Sequence, residues 1–167
     1  MAKIKRDWVE PAHPVLVQRF DDYVDIYRFI KEAIQAKVDA IFDRVSRQIE
    51  YARRGYQAGT PAFGACWGVQ MAAVAAGGEV KANPRGREMG LARKIRLTPE
   101  GMRHPMMEGK PAVYNGFISH LDEVTGLPPG AVLLASNDFT HVQAIEVKHG
   151  KGVFWATQYH PEYDLHE

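Results

Sequence analysis

The sequence predicts an α/β fold: a mostly parallel central sheet flanked by helices, with an antiparallel extension on one side. Three observations carry that expectation. A long stretch near the start has helical periodicity, with Tyr23, Ile26, Tyr27, Ile30 and Ile34 running into Val38, Ile41, Phe42, Val45 and Ile49 at steps of three and four. A strand-like run, "PAFGA", is followed at once by a helix-like run, "GVQMAAVAA". The rest alternates short apolar runs with turn signals, the pattern of hairpins.

Taken in order, Pro14 to Gln18 ("PVLVQ") suits a short buried strand, and a helix follows from about Asp22 to Arg54. Because that span is long for a globular helix, a break is expected near Asp39 or Asp43. Gly55 and Gly59 should end it, and Thr60-Pro61 should open the next element. Paired Gly77-Gly78 closes the second helix. "LARKIRLT", "PAVYNGF", "AVLLAS", "VQAIEV" and "GVFWATQ" each suit a strand, separated by "PEG", "GLPPG" and "KHGKG" turns.

Bulk composition narrows the function. The 167 residues suit one domain with a sizeable core, and 46% hydrophobic with 25% charged residues is ordinary globular chemistry. A net charge of +1 gives no reason to expect a nucleic-acid partner or an anionic membrane. The local cations Arg85, Arg87, Arg93, Lys94 and Arg96 are interrupted by glycine and apolar residues and read as a solvated strand face. One cysteine excludes an internal disulfide, and no apolar run reaches membrane-spanning length, so a cytoplasmic protein is expected.

That cysteine sits in Gly64-Ala65-Cys66-Trp67-Gly68, a glycine-flanked nucleophile position between a predicted strand and a predicted helix. The arrangement suits a nucleophile elbow, with the side chain raised on a tight turn between residues too small to obstruct it. The helix start would favour thiolate, and the Trp67 N–H would face a developing oxyanion. A small buried core thiol is the competing reading. Among seven histidines, His13, His104, His141 and His149 read as loop or exposed residues. His160 lies at the end of an apolar strand, two residues before Glu162, so the carboxylate can fix one ring nitrogen while the other works as a base. A surface histidine beside a turn remains the alternative. A zinc site from His160, Glu162 and His166 has the wrong spacing, with Pro161 breaking any helix, so no metal and no cofactor are expected.

Together, "PAFGACWGVQMAAVAAGGEV", "GFISHLDEVTGLPPGAVLLASND" and "GVFWATQYHPEYD" resemble the class I, triad-type glutamine amidotransferase domain, closest to stand-alone GMP-synthetase-like members. The resemblance covers about residues 47–164 of a single domain, with 1–46 an atypical helical segment. It implies a flavodoxin-like fold and release of ammonia from glutamine through a γ-glutamyl thioester on Cys66, with His160 as base and Glu162 as its orienter. It assigns substrate contacts to Trp67, Gln70, Ser119, Leu121 and Asp122, and offers Glu88, in "NPRGREMG", either as a pocket carboxylate or as part of a solvated turn. A γ-glutamyl-amide hydrolase of the same superfamily and a non-catalytic scaffold are the alternatives.

The departure lies upstream. The family carries βα units there, ending in a glycine-rich loop whose N–H completes the oxyanion hole. This chain has no glycine before Gly55. Helix is expected in place of those units, the chain is expected to be truncated, rearranged or engineered relative to the family, and turnover is expected to suffer. A sheet edge left open could pair across a homodimer, directly or through the N-terminal helix. A synthase partner or acceptor for the ammonia is compatible with the resemblance.

Overall fold

The computed structural model describes residues 23–163. The chain divides into two compact units, 1–46 and 47–167. Residues 14–18, where a strand is expected, lie outside the described residues, as do His13 and His166.

Helix α1 runs over Tyr23–Ala58 without the expected break. No glycine or proline occurs between Tyr23 and Arg54, and aspartate weakens a helix without breaking it. Asp39 instead accepts a hydrogen bond from Gln35 Nε2 at 2.9 Å, one turn earlier. Gly55 lies inside the helix; Gly59, at φ 74°, ends it, while the Thr60 N–H closes back on the Gly55 carbonyl at 3.0 Å. In the first unit the apolar stripe of α1 is exposed at Ile30, Ile34, Ile41 and Phe42. In the second, the last turns bury Ala52 and Tyr56, and the Tyr56 hydroxyl donates to the Ala72 carbonyl at 3.1 Å.

The second unit is built on a six-stranded sheet. Its strands are β1 (Ala62–Ala65), β3 (Glu88–Leu97), β4 (Val113–His120), β6 (Ala131–Ser136), β7 (Ala144–His149) and β8 (Gly152–Thr157), in the order β1-β8-β7-β6-β3-β4. Helix α2 (Trp67–Ala75) follows β1, and β2 (Glu79–Ala82) pairs with β5 (Asp122–Gly126) in a separate ribbon that strand patterning does not single out. The α/β class, the mixed sheet and the antiparallel extension are as expected. The balance within the sheet differs: β1–β8 is the one parallel pair among the described strands. Connectivity accounts for this, because parallel neighbours need a long crossover while the later strands follow one another through short turns.

Two apolar clusters cover the sheet. One packs Ala52, Tyr56, Val69, Ala72 and Ala73 from the helices onto Ile145, Val147, Phe154 and Ala156. The other gathers Ala92, Ile95, Met107, Ile118, Leu134 and Tyr159. In the latter, the Tyr114 and Tyr159 hydroxyls lie 3.2 Å apart, and a side chain at Gly116 would strike the Tyr159 ring. The parallel pairing has one consequence for chemistry. Ala65 lies opposite Thr157, so the residues just past both strands emerge at the same edge.

Candidate active site

Cys66 leaves β1 at φ 50°, ψ −103°, a left-handed conformation that is costly for a residue with a Cβ. Its N–H is held by the Thr157 carbonyl at 2.8 Å, and its carbonyl accepts the Val69 N–H at 3.1 Å as α2 begins. Gly64 and Gly68 permit the turn: a Cβ at Gly64 would stand 2.9 Å from the Gly68 Cα and 3.0 Å from the Phe154 ring. Close approach therefore requires the glycine at 64, whereas a Cβ at Gly68 would itself meet nothing within 4 Å. The sulfur is half-buried.

The thiol differs from expectation in one respect. A helix start should favour thiolate, yet burial pushes the Cys66 thiol up, the Trp67 backbone N–H pulls it down, and the Glu162 charge pushes it up again. The net direction is above the ordinary thiol value, because desolvation of the sulfur outweighs one N–H. In this resting arrangement the thiol proton points at the Ser119 carbonyl, 3.6 Å away.

Strand β4 supplies common support. Ser119 meets the sulfur, while Phe117, two residues earlier on the same strand, accepts the His160 N–H at 2.8 Å and pairs with it across an isolated bridge. His160 Nδ1 lies 2.6 Å from Glu162 Oε1. A carboxylate can only accept, so Nδ1 carries the proton and Nε2 of the neutral ring is left able to take one. The Tyr163 ring stacks on the imidazole at 4.3 Å and 4°. Burial pushes the Glu162 carboxyl up, but the His160 hydrogen bond and charge, with the residue's own N–H, hold it below the usual carboxylate range.

Beneath the sulfur lies a chain of amides. Gln70, buried on α2, donates from Nε2 to the Asp122 carbonyl at 2.7 Å and to Gln158 Oε1 at 3.4 Å. Gln158, fully buried, turns its Nε2 toward Cys66 Sγ at 3.9 Å. The Asp122 carbonyl also receives His120 Nδ1 at 2.9 Å, and His120 Nε2 reaches Glu88 Oε2 at 3.2 Å. Both ring nitrogens of His120 are thus engaged, Nδ1 by the Asp122 carbonyl and Nε2 by Glu88, with Thr140 Oγ1 a further neighbour of Nε2 at 3.4 Å. Glu88 takes further bonds from Thr140 Oγ1 at 2.7 Å and Asn137 Nδ2 at 3.1 Å. Burial pushes Glu88 up, and these donors together with the His120 charge bring it below the ordinary value. Glu88 is therefore neither a solvated turn residue nor paired to an arginine; it is 8% exposed, its oxygens are engaged by this network, and with Asn137 and Phe139 it lines a cavity.

The remaining expected contacts fall as follows. Leu121 is exposed, and its carbonyl accepts the Asn83 N–H at 2.9 Å. Ser119 and Asp122 approach the site through backbone carbonyls. His104, expected in a loop, caps a short 3-10 turn and meets the buried Glu146 at 3.2 Å; His141 and His149 are exposed. Among the described residues no three metal-ligating side chains gather, and no helix is long and apolar enough to cross a membrane. Two residues of the site escape a reading of the sequence, His120 and Gln158. Each lies in register with a buried position two residues earlier, Ile118 and Ala156. A polar residue continuing an inward-facing row is the signal that points to them.

Comparison with known proteins agrees with this geometry. A family model described as glutamine amidotransferase class-I matches residues 38–167. A γ-glutamyl-L-1-hydroxyisopropylamide hydrolase from a Pseudomonas species is 47% identical over 119 residues, covering 70% of this chain and 40% of that protein. A glutamine-hydrolysing GMP synthase from Alkalilimnicola ehrlichii is 36% identical over 113 residues, covering 64% of this chain and 21% of the relative. The chain thus spans less than half the length of these curated relatives. Among solved structures, a glutamine amidotransferase from Methylobacillus flagellatus matches with a TM-score of 0.59 and 26% identity, over 71% of this chain and 45% of that one. With the elbow, the strand pairing and the family match in agreement, the chain belongs to the class-I glutamine amidotransferase family.

Proposed function

We propose that the chain hydrolyses the side-chain amide of glutamine through a γ-glutamyl thioester on Cys66. The observation that carries this reading is the elbow itself: a strained Cys66 tied to Thr157, with His160 ordered by Glu162 three residues beyond that tie. In the reaction, the sulfur attacks the amide carbon as His160 Nε2 takes the thiol proton. The tetrahedral oxyanion forms opposite the Trp67 N–H. His160 then returns the proton to the departing nitrogen and ammonia leaves. Water, deprotonated by the same nitrogen, attacks the thioester, releasing glutamate and restoring the thiol. Glu162 holds the tautomer throughout. Gln70 and the backbone of Ser119, Leu121 and Asp122 hold the amino-acid end of the substrate.

Because one backbone donor is assigned to the oxyanion, turnover about 100- to 1000-fold below that of a two-donor site is expected. A synthase or acceptor protein would use the ammonia, and a cytoplasmic setting would keep the lone thiol reduced. A scaffold that has kept the triad but lost turnover is the non-enzymatic alternative.

One observation favours a second substrate. The relative at 47% identity is named for a γ-glutamyl alkylamide, whereas the GMP synthase matches at 36%. Hydrolysis of an N-substituted γ-glutamyl amide needs the same thioester and differs only in the amine released. Labelling with a glutamine-analogue diazo-ketone, read by intact mass in the wild type and Cys66→Ala, tests the nucleophile. Glutamate release from glutamine and from γ-glutamyl alkylamides in parallel tests the substrate. Labelling confined to Cys66 with turnover supports the proposal, and a folded protein with neither refutes it.

A further inference from the structure

We propose that Gln158 is a catalytic residue, donating a side-chain N–H to the Cys66 sulfur as it becomes thiolate. This inference rests on the reading of Cys66 as nucleophile and adds a group that reading does not use.

Hydrogen-bond direction fixes how Gln158 is turned. An amide has a donor end and an acceptor end, and here the surroundings leave a single choice. The Asp122 carbonyl can only accept, and two donors meet it: His120 Nδ1 at 2.9 Å and Gln70 Nε2 at 2.7 Å. The amino end of Gln70 is therefore the end that faces inward. Its second proton serves Gln158 Oε1 at 3.4 Å. With its oxygen so engaged, Gln158 presents its amino end to Cys66 Sγ at 3.9 Å. Reversing Gln158 would set two amino groups against each other and a carbonyl oxygen against the sulfur. The Glu88–His120 pair anchors the whole series, since it holds the carbonyl from which the polarity is set.

The donor has a physical purpose. Burial and Glu162 both work against a thiolate at this position, and the Ser119 carbonyl accepts from the thiol but repels the anion. The His160 imidazole has its Nδ1 engaged by Glu162. Beyond the Trp67 N–H, Gln158 is the neutral donor aimed at the sulfur, and it is fully buried, where such a bond is least weakened by water.

The test follows the Cys66 thiol and needs no glutamine. Alkylation by iodoacetamide is measured against pH for the wild type, Gln158→Met and Gln158→Glu, with circular dichroism confirming the fold. The Met variant keeps the length and removes the donor. It should react about 3- to 10-fold more slowly at pH 7, the range of an ordinary net hydrogen bond, and reach the wild-type rate at high pH. The Glu variant should shift the profile further the same way. A Met profile superimposed on the wild type overturns the inference. Should either variant fail to fold, the wild type suffices. The side-chain amide protons of Gln158 should move in NMR spectra as the thiol titrates and stay fixed in Cys66→Ala; amide protons indifferent to the thiol overturn the inference. A Gln158-dependent thiol in a protein that hydrolyses no glutamine would refute the proposed reaction alone. Turnover with a Gln158-independent thiol would refute this inference alone.

Discussion

Two histidine–glutamate pairs lie on either side of the amide series, and they are built for opposite ends. His120 and Glu88 are both buried, with both imidazole nitrogens and the carboxylate oxygens engaged. His160 and Glu162 sit at the sheet edge, where the Glu162 side chain is 51% exposed and one ring nitrogen stays open. The same two side chains form a closed network when both ring nitrogens are engaged, and leave one nitrogen open when a single carboxylate holds the ring. Burial and the number of acceptors decide the role, not residue identity.

That contrast can be broken experimentally. The largest effect is expected from His160→Asn, which should lower glutamine or γ-glutamyl-amide hydrolysis by about 100- to 10,000-fold with an unchanged melting temperature, read by glutamate release and calorimetry. A melting temperature that falls with activity would make His160 a packing residue instead. Glu88→Gln should reverse the pattern. It takes from the buried network the carboxylate that His120, Thr140 and Asn137 all reach, and should cost about 1–3 kcal/mol in urea unfolding. Glu162→Gln, at an exposed pair, should cost less than about 1 kcal/mol while lowering activity less than His160→Asn.

Acid sharpens the comparison further. Glu88 is held below its ordinary value in the fold, so its stabilisation is fully present above the unfolded carboxyl value, 4.5, and is lost as pH falls through the folded one. Urea midpoints between pH 6 and pH 3 should therefore decline in the wild type, with a shallower decline in Glu88→Gln. Equal slopes would mean that Glu88 is not ionised in the fold. The smallest effect concerns association. Strand β1 ends the six-stranded order and Phe63 on it is 55% exposed. If copies pair along that edge, Phe63→Lys should reduce the dimer fraction in sedimentation, while a wild type that stays monomeric at high concentration would exclude such pairing.

Much of this was legible in the sequence, for identifiable reasons. Gly-x-Cys-x-Gly at a strand–helix junction has few structural solutions, and Gly64 proves to be there because a side chain would strike Gly68. His160 and Glu162 were readable because their bond spans two residues of chain. The links from Glu88 to His120 and from Gln158 to Cys66 bridge distant segments, and no local pattern encodes such a meeting. Helix α1 shows the limit of periodicity in the other direction. Its spacing correctly gives a helix, but Ile34, Ile41 and Phe42 are exposed while Tyr56 is buried, because a stripe specifies a face and not what covers it. The share of parallel strands was overestimated because short turns after Ser136 and His149 dictate antiparallel neighbours.

The pairing of β1 with β8 also has a consequence in time. Cys66 is pinned through Thr157, a residue that the ribosome adds long after the elbow has been made. Closing so long a loop is among the slower steps available to a growing chain. Until β8 docks, the Cys66 N–H lacks the Thr157 carbonyl that holds its turn. The turn at Cys66 is thereby a late-formed feature, set only when the C-terminal strand joins β1.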